Sequence, residues 1–212
     1  MTIEGGPERR QTDGRVARRQ RTRHTVLEAH AALMAAGHLT PTAAEIADAA
    51  HVSVRTLWTV FGDMEGLFRA TTDYWFANDE QLRRQIDPGA PLAVRVAAFC
   101  AERVRRLESI APAARAAGLL EHRSAALRES RRGHVRRVVE DVERVFATEL
   151  VASGAQRAVL LDALVAATSF NAWSLLRDDL GRTVDDAGAA MSRAVGVLLA
   201  DVRPAPARAR RD

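Results

Sequence analysis

The sequence predicts an all-α protein with a small N-terminal head of three helices and a larger C-terminal helical domain. The 212 residues are rich in Ala, Leu, Arg and Glu, which lose little side-chain freedom in a helix. Aromatic residues, which strands favour, make up only 5% of the chain. Apolar residues recur at intervals of three and four along several stretches, which is the period of one helix face.

The first periodic segment, residues 18–36, predicts an amphipathic helix. Val26 and Met34 fall on one face of this helix. Gly37 follows the segment, and glycine commonly ends a helix. The preceding residues 1–17 combine glycine, proline and charge with almost no large apolar side chain. We therefore expect them to form a mobile basic arm.

Two further helix starts follow closely. Thr42 and Glu45 match the S/T-x-x-E pattern of a capping box, which predicts a second helix over residues 42–49. Ser53 can cap a third helix, in which apolar residues repeat at the spacing of one buried face. The residues of that face are Val54, Leu57, Trp58 and Phe61.

The opposite face of the third helix is polar and is expected to be open to solvent. It carries Arg55, Thr56 and Thr59. Two helices joined by a tight turn form a helix-turn-helix, whose second helix can enter the major groove of DNA. Arg55 can bond guanine O6 and N7, whereas threonine hydroxyls suit phosphate oxygens. Ser53, at the start of this helix, is also a predicted DNA contact. The predicted partner is double-stranded DNA.

The remaining helices are predicted to follow in a simple series. Their approximate ranges are 63–84, 91–110, 113–122, 124–151, 155–176 and 185–202. The last two are apolar around most of their circumference, so they must be buried on more than one side. A four-helix bundle made with the same pair from a second copy achieves this. The predicted homodimer interface contains Leu161, Leu164, Val195 and Leu198.

These elements divide the chain into four regions. We expect the basic arm over residues 1–17, a DNA-binding head over 18–82, an effector-binding and dimerisation domain over 83–203, and a disordered tail over 204–212.

Residues 37–61, GHLTPTAAEIADAAHVSVRTLWTVF, resemble the DNA-binding head of the TetR family, in which Ile-Ala, Val-Ser, Thr-Leu-aromatic and a final Phe recur at this spacing. The resemblance implies a homodimeric repressor that binds an inverted-repeat operator and is released by a small-molecule effector. It also implies that Thr42, Thr56 and Trp58 contact the DNA backbone. An alternative for Trp58 is that it only fills the core.

The sequence departs from the family pattern at several positions. His51 stands where the family favours Gly, and His tolerates a left-handed conformation better than most residues. Met64 stands where the family often has a phosphate-binding Lys. Arginines near the N-terminus can compensate, although they are equally consistent with a solvated surface. The predicted contacts among them are Arg15, Arg18 and Arg19.

An effector would enter the C-terminal domain. The lining that we predict for it consists of Trp75, Phe99, Arg103, His122, Phe170 and Trp173. Aromatic residues at helical spacing also simply pack, so the alternative for each is a core position. Likewise, His30 is expected to be a core histidine rather than a ligand.

Composition and motifs exclude other classes of protein. Cys100 is the only cysteine, so no internal disulfide forms and a cytoplasmic location is expected. The histidines lack close metal-ligand spacing, and no phosphate-binding glycine loop occurs, so neither a catalytic centre, a metal nor a cofactor is predicted. Carboxylates such as Glu102 and Glu108 are expected to form pairs on helix surfaces.

Polar residues interrupt the longest apolar run, residues 158–176, so no membrane span is expected. An all-α enzyme and a DNA-binding protein without an effector are the rival hypotheses.

Overall fold

The computed structural model describes residues 7–200 and 202, with side chains from residue 14 onward. Within those residues the chain forms helices and no strand, which confirms the predicted all-α class. The α-helices are α1 (Pro7–Ala35), α2 (Ala43–Ala49), α3 (Val54–Phe61), α4 (Met64–Gln81), α5 (Leu92–Leu120), α6 (Ala125–Val145), α7 (Ala147–Ala152), α8 (Arg157–Ala167), α9 (Phe170–Ser174) and α10 (Val184–Ala200). A short π-helical segment follows α9.

The helices group into two compact units. The first comprises residues up to Asn78 together with Pro112–Ser130, and the second comprises Asp79–Ala111 together with the residues from Arg131 onward. Sequence analysis assigned residues 112–130 to the C-terminal domain. Long-range contacts place them with the head instead; for example, the Ala126 N–H donates to Glu65 Oε2 at 2.9 Å.

The first three helices form the predicted head. α1 contacts α2 and α3, and α2 contacts α3. Their shared core is closed by side chains with little or no exposure, because each helix turns its apolar face inward. These residues include Val26, Leu27, Ile46, Leu57 and Phe61, and Leu67 of α4 joins the same core. The three-helix head is therefore confirmed as a structural element.

The first helix begins earlier than the sequence predicted. α1 starts at Pro7 rather than near residue 18, so residues 7–17 are helical rather than an unstructured arm. Proline is compatible with a first helical position, and Arg, Ala and Gln favour the helix that follows. Residues 14–21 are all exposed. Residues 1–6 of the predicted arm, and the predicted tail at 204–212, lie outside the described residues.

Two predicted helix boundaries are wrong because tertiary contacts override local signals. α5 continues through Pro112, where two separate helices were predicted, and Ile110, Ala111 and Ala116 are buried on either side of that proline. Conversely, the helix predicted over residues 155–176 is broken after Thr168. Ser169 caps the new helix by accepting the Ala172 N–H at 3.2 Å.

The second unit has its own core. Phe99 and Phe146 meet edge to face with their ring centroids 5.1 Å apart. Around them lie Leu107, Val142, Leu164, Trp173, Met191 and Val195, all 2% exposed or less. Cys100 is 1% exposed in this core, and burial raises the pKa of its thiol. The core thus contains residues from α5, α6, α8, α9 and α10.

No single helix in the described part of the chain is long and apolar enough to cross a membrane. A pair bent by 42°, Gly154–Ala167 with Phe170–Asp179, reaches that length and composition only when taken together. Leu160, Leu164 and Trp173 of this pair are buried in the protein core.

Candidate nucleic-acid interface

The third helix is anchored by one face and open on the other. Leu57 is fully buried and Phe61 is 8% exposed, and both pack in the head core. Arg55 and Thr59 are exposed on the opposite side. α3 therefore presents a polar face whose orientation is fixed by burial of its other face.

The N-terminus of α3 is capped within the chain. Ser53 Oγ accepts the Thr56 N–H at 3.0 Å, and the Ser53 and Thr56 hydroxyls are 2.8 Å apart. One of these two hydroxyls donates to the other, which leaves the second free to donate outward. Thr59 Oγ1 donates to the Arg55 carbonyl at 2.8 Å. Thr59, one of the predicted DNA contacts, must therefore break this hydrogen bond before its hydroxyl can donate to a phosphate.

The turn between α2 and α3 has the predicted left-handed residue. His51 has φ 53°, and its N–H donates to the Asp48 carbonyl at 2.9 Å. The Val52 N–H donates to the Ala47 carbonyl at 2.9 Å. These two bonds satisfy carbonyls at the end of α2, so the turn forms with His in a position that favours Gly.

Thr42 begins α2 through a complete capping box. Glu45 N–H donates to Thr42 Oγ1 at 3.3 Å, and Thr42 N–H donates to Glu45 Oε2 at 2.7 Å. The Thr42 backbone bond, with help from the hydroxyl and from His38, lowers the pKa of Glu45. The Thr42 hydroxyl also donates to Glu45 Oε2 at 2.7 Å, so its proton is already engaged. Thr42 thus shapes the start of α2 whether or not it contacts DNA.

Trp58 and Met64 are half-buried. Both pack against the head core. Part of the Trp58 side chain therefore fills the core, as the alternative held. The exposed part remains available for a contact with DNA. Met64 supplies apolar packing at a position where the TetR pattern often has a cation.

The predicted arm contacts lie on the exposed part of α1. Arg15, Arg18 and Arg19 are all exposed. One helical turn further on, the Arg23 guanidinium lies over the Phe61 ring, 5.3 Å from its centroid. Phe61 is the last residue of α3, so Arg23 places this side of α1 beside the end of α3.

The predicted effector lining is not gathered into one place within either unit. Trp75 and His122 belong to the first unit, and the other four residues belong to the second. In the second unit, Phe99 and Trp173 are core residues, and Phe170 packs against the same core. Trp173 Nε1 donates to Glu108 Oε1 at 2.8 Å. For Phe99 and Trp173 the alternative of simple packing is the better description.

Sequence analysis missed a buried ionic cluster in the second unit. Arg106 donates to both oxygens of Asp79, at 2.8 and 2.7 Å, to Asp141 Oδ2 at 2.8 Å and to Glu102 Oε1 at 3.1 Å. Burial raises the pKa of Asp79 and of Asp141, but hydrogen bonds and charges from arginines outweigh it and hold both pKa values below normal. Glu102 is 3% exposed, so its predicted place on a helix surface is wrong.

Arg103 has a different environment from Arg106. Its guanidinium donates from Nε and Nη2 to the Thr168 carbonyl, at 3.3 and 2.7 Å. Thr168 is the residue where α8 ends, so a buried cation satisfies the carbonyl end of that helix. Burial lowers the pKa of Arg103 to about 10, well within the charged range at neutral pH. The predicted effector contact is thus a structural cation in this conformation.

Two of the four predicted dimer contacts face inward. Leu164 and Val195 are fully buried in the core of their own unit, so their assignment to an outward interface is wrong. Leu161 and Leu198 are half-buried. The apolar residues that α8 and α10 leave exposed are different ones: Val159 is 64% exposed and Val197 is 58% exposed. Periodicity alone assigned too much of both helices to the outer face.

Comparisons with known proteins find a similarity of architecture but not of sequence. No protein-family model matches the chain, and no curated protein sequence matches it. Among solved structures, the crystal structure of a transcriptional regulator from Rhodococcus sp. Rha1 has a TM-score of 0.60. The two sequences are 17% identical, and the aligned region covers 89% of this chain and 99% of the regulator's chain. At that identity the likeness is one of fold.

Proposed function

We propose that this chain is a homodimeric helix-turn-helix transcription regulator of the TetR type. The observation that carries the proposal is α3, which Leu57 and Phe61 anchor in the head while Arg55 and Thr59 point to solvent. The resemblance of residues 37–61 to the TetR head and the fold of the Rhodococcus regulator support the same role. A protein that acts on operator DNA works in the cytoplasm, as the sequence suggested.

In this proposal α3 lies in the major groove. Arg55 then reads guanine through two parallel N–H bonds, a contact that carries sequence information. Ser53 and Thr56 lie at the start of α3, where a free hydroxyl and backbone N–H groups suit a phosphate oxygen. Contacts of the second kind position the protein without selecting a sequence.

A second copy is the proposed partner of α8 and α10. These two helices contact each other, and their outward positions carry apolar and small side chains that allow another helix to approach closely. The exposed apolar and small residues of this face are Ala158, Val159, Ala166, Ala190, Ala194 and Val197, and the charged residues exposed among them are Asp162 and Arg193. A two-fold dimer presents two identical copies of α3, so the operator is expected to be an inverted repeat with half-sites ~34 Å apart, or a multiple of it.

We further propose that the protein is a repressor released by a small molecule, as the TetR resemblance implies. The physical requirement is that the effector and the operator prefer different states of the same dimer. A ligand that binds the folded chain alone raises its melting temperature, so a thermal-shift screen identifies such molecules. A regulator without an effector would give no hit that also weakens DNA binding.

The DNA-reading role is tested by selecting bound duplexes from a random-sequence pool. The wild-type chain should enrich an inverted repeat. Arg55→Ala should weaken binding to it by ~1–3 kcal/mol and relax the preference at one base position in each half-site. Arg182→Ala is the matched control, because Arg182 is exposed in the second unit. Enrichment of no sequence, or equal behaviour of the two variants, would remove the basis of the proposal.

A further inference from the structure

We propose that residues 14–23 of α1, the basic extension, form a second DNA-binding surface that contacts duplex phosphates beside the site read by α3. This inference rests on the proposed function in taking DNA as the partner. Unlike the proposed function, it places a DNA contact on a helix outside the helix-turn-helix. That contact does not depend on the base sequence of the DNA.

The charge of the basic extension is unbalanced. It contains five arginines and no acidic residue: Arg15, Arg18, Arg19, Arg21 and Arg23. Residues 14–21 are exposed on every side of the helix. Among the described residues none of the first four arginines has an ion-pair partner within 4 Å, whereas many arginines of the second unit do. Duplex DNA, which carries one negative charge per ~1.7 Å of its axis, is the complementary surface.

The arginines are aligned with the part of α1 that packs on the head. Arg15, Arg19 and Arg23 are four residues apart, so they follow one another along one side of the helix. The same side continues with Leu27, and then with His30 and Met34, which are buried in the first unit. The face that is apolar against the head thus becomes basic where α1 extends beyond it.

The position of Arg23 relates this basic side to the DNA-reading helix. Its guanidinium lies 5.3 Å from the centroid of the Phe61 ring, at the end of α3. Arg19 and Arg15 follow at steps of about 6 Å along the α1 axis, from a rise of 1.5 Å per residue. A duplex held by α3 therefore has a row of cations beside its flank.

The energetics of the helix favour an anionic partner. Like charges three and four residues apart, as in Arg15 with Arg18 and Arg19, destabilise a helix. Residues 14–21 gain no compensation from packing, because all of them are exposed. A row of phosphates removes the repulsion and neutralises the guanidinium groups, with release of the counterions that DNA held.

The test compares two full-length triple variants that remove equal charge. One carries Arg15→Gln, Arg18→Gln and Arg19→Gln, and the control carries the same change at Arg84, Arg136 and Arg182, which are exposed in the second unit and lie outside α8 and α10. Each lowers the net charge from +4 to +1, since 4 − 3 = 1. Binding constants are measured against sodium chloride on two duplexes, the inverted repeat selected by the wild-type chain and a shuffled version of it.

The extension variant should show a shallower dependence of log K on log salt, by about 0.9 for each phosphate that is no longer neutralised, or ~2.7 if all three arginines bind. The base preferences should not change, because phosphate contacts carry no sequence information. The control should keep the wild-type slope, and equal melting temperatures of the three proteins show that folding is intact. A wild-type slope in the extension variant, or an equal decrease in the control, would overturn the inference. If the wild-type chain selects no sequence, the proposed function fails, while the slopes measured on a duplex of random sequence still decide the role of the extension.

Discussion

Arg106 and Asp79 form a two-pronged ion pair, with Nε donating to Oδ1 at 2.8 Å and Nη2 donating to Oδ2 at 2.7 Å. Both side chains are 2% exposed or less. Asp141 and Glu102 also contact this guanidinium, so Arg106 contacts three buried carboxylates from α4, α5 and α6, of which Asp141 also pairs with Arg83 and Arg144. Such a cluster is costly to desolvate, and its integrity depends on every member being paired.

We expect Arg106→Met to destabilise the protein by about 3–5 kcal/mol, because it leaves buried carboxylates without their main counterion. Urea unfolding followed by circular dichroism measures the decrease in stability. Arg144→Met is the matched control: Arg144 pairs with the same Asp141 at 2.9 Å, but its side chain is 41% exposed. That change should cost less than about 1 kcal/mol. Equal effects in the two variants would show that burial does not set the cost.

The second prediction concerns acid stability. Burial lowers the pKa of His30, whose Nδ1 lies 2.9 Å from Thr71 Oγ1, from 6.5 to about 4. Between these values the unfolded chain binds a proton that the folded chain does not, so stability should decrease as the pH decreases. For a pKa difference of this size the decrease between pH 7 and pH 5 is about 2 kcal/mol. His134, with its pKa also lowered to about 4 by burial and by Arg103, should add a comparable decrease.

The contribution of His30 can be isolated by His30→Gln, because glutamine does not titrate. The variant should lose roughly half of the pH dependence of the unfolding free energy between pH 7 and pH 5. The same substitution at His24, which is 64% exposed, is the control. An unaltered pH dependence in the His30 variant would contradict a neutral buried imidazole.

The third prediction compares two glycines. A Cβ at Gly66 would lie 2.1 Å from the Phe61 carbonyl oxygen, whereas a Cβ at Gly118 meets nothing within 4 Å. Gly66→Ala should therefore destabilise the head by about 1–3 kcal/mol or more, since backbone must move to relieve the clash. Gly118→Ala lies inside α5 and should stabilise by about 0.5–1 kcal/mol, because alanine favours the helix. Thermal unfolding measures the change in stability of each variant. A change in the same direction in both variants would contradict the packing at Gly66.

The fourth prediction concerns the proposed dimer. Val197→Glu places a charge on the outward face of α10, in its last turn, and should separate the dimer if that face is covered by a second copy. Light scattering at micromolar concentration measures the mass. Val151→Glu is the control, since Val151 is 76% exposed on α7 and outside that face. A wild-type chain that is monomeric with and without DNA would reject both the interface and the inverted-repeat operator.

The head was predicted well because its signals are local. The capping box at Thr42, the cap at Ser53 and the apolar spacing of α3 each act over only a few neighbouring residues. The left-handed turn at His51 was also anticipated, since a short segment fixes its own geometry. Local chemistry therefore identified the candidate DNA-reading face, although not the internal hydrogen bonds that its hydroxyls make.

The second unit was predicted less well because its determinants are distant in sequence. Glu102 and Arg106 are four residues apart, a pattern that is the same on a wet surface and in a core. Only Asp79 and Asp141, from other helices, make this pair an interior one. Similarly, the end of α8 is satisfied by Arg103, 65 residues away in the sequence. No window of neighbouring residues contains either relationship.

The burial of Cys100 provides a spectroscopic reporter that needs no engineering. The chain has one thiol, it is 1% exposed, and burial raises its pKa, so the reactive thiolate is scarce and shielded in the folded protein. A chromogenic disulfide reagent should therefore label the native chain only as fast as the second unit opens. Because a single site reacts, the colour change follows one first-order process. The same cysteine would report whether an operator duplex or a small molecule slows that opening.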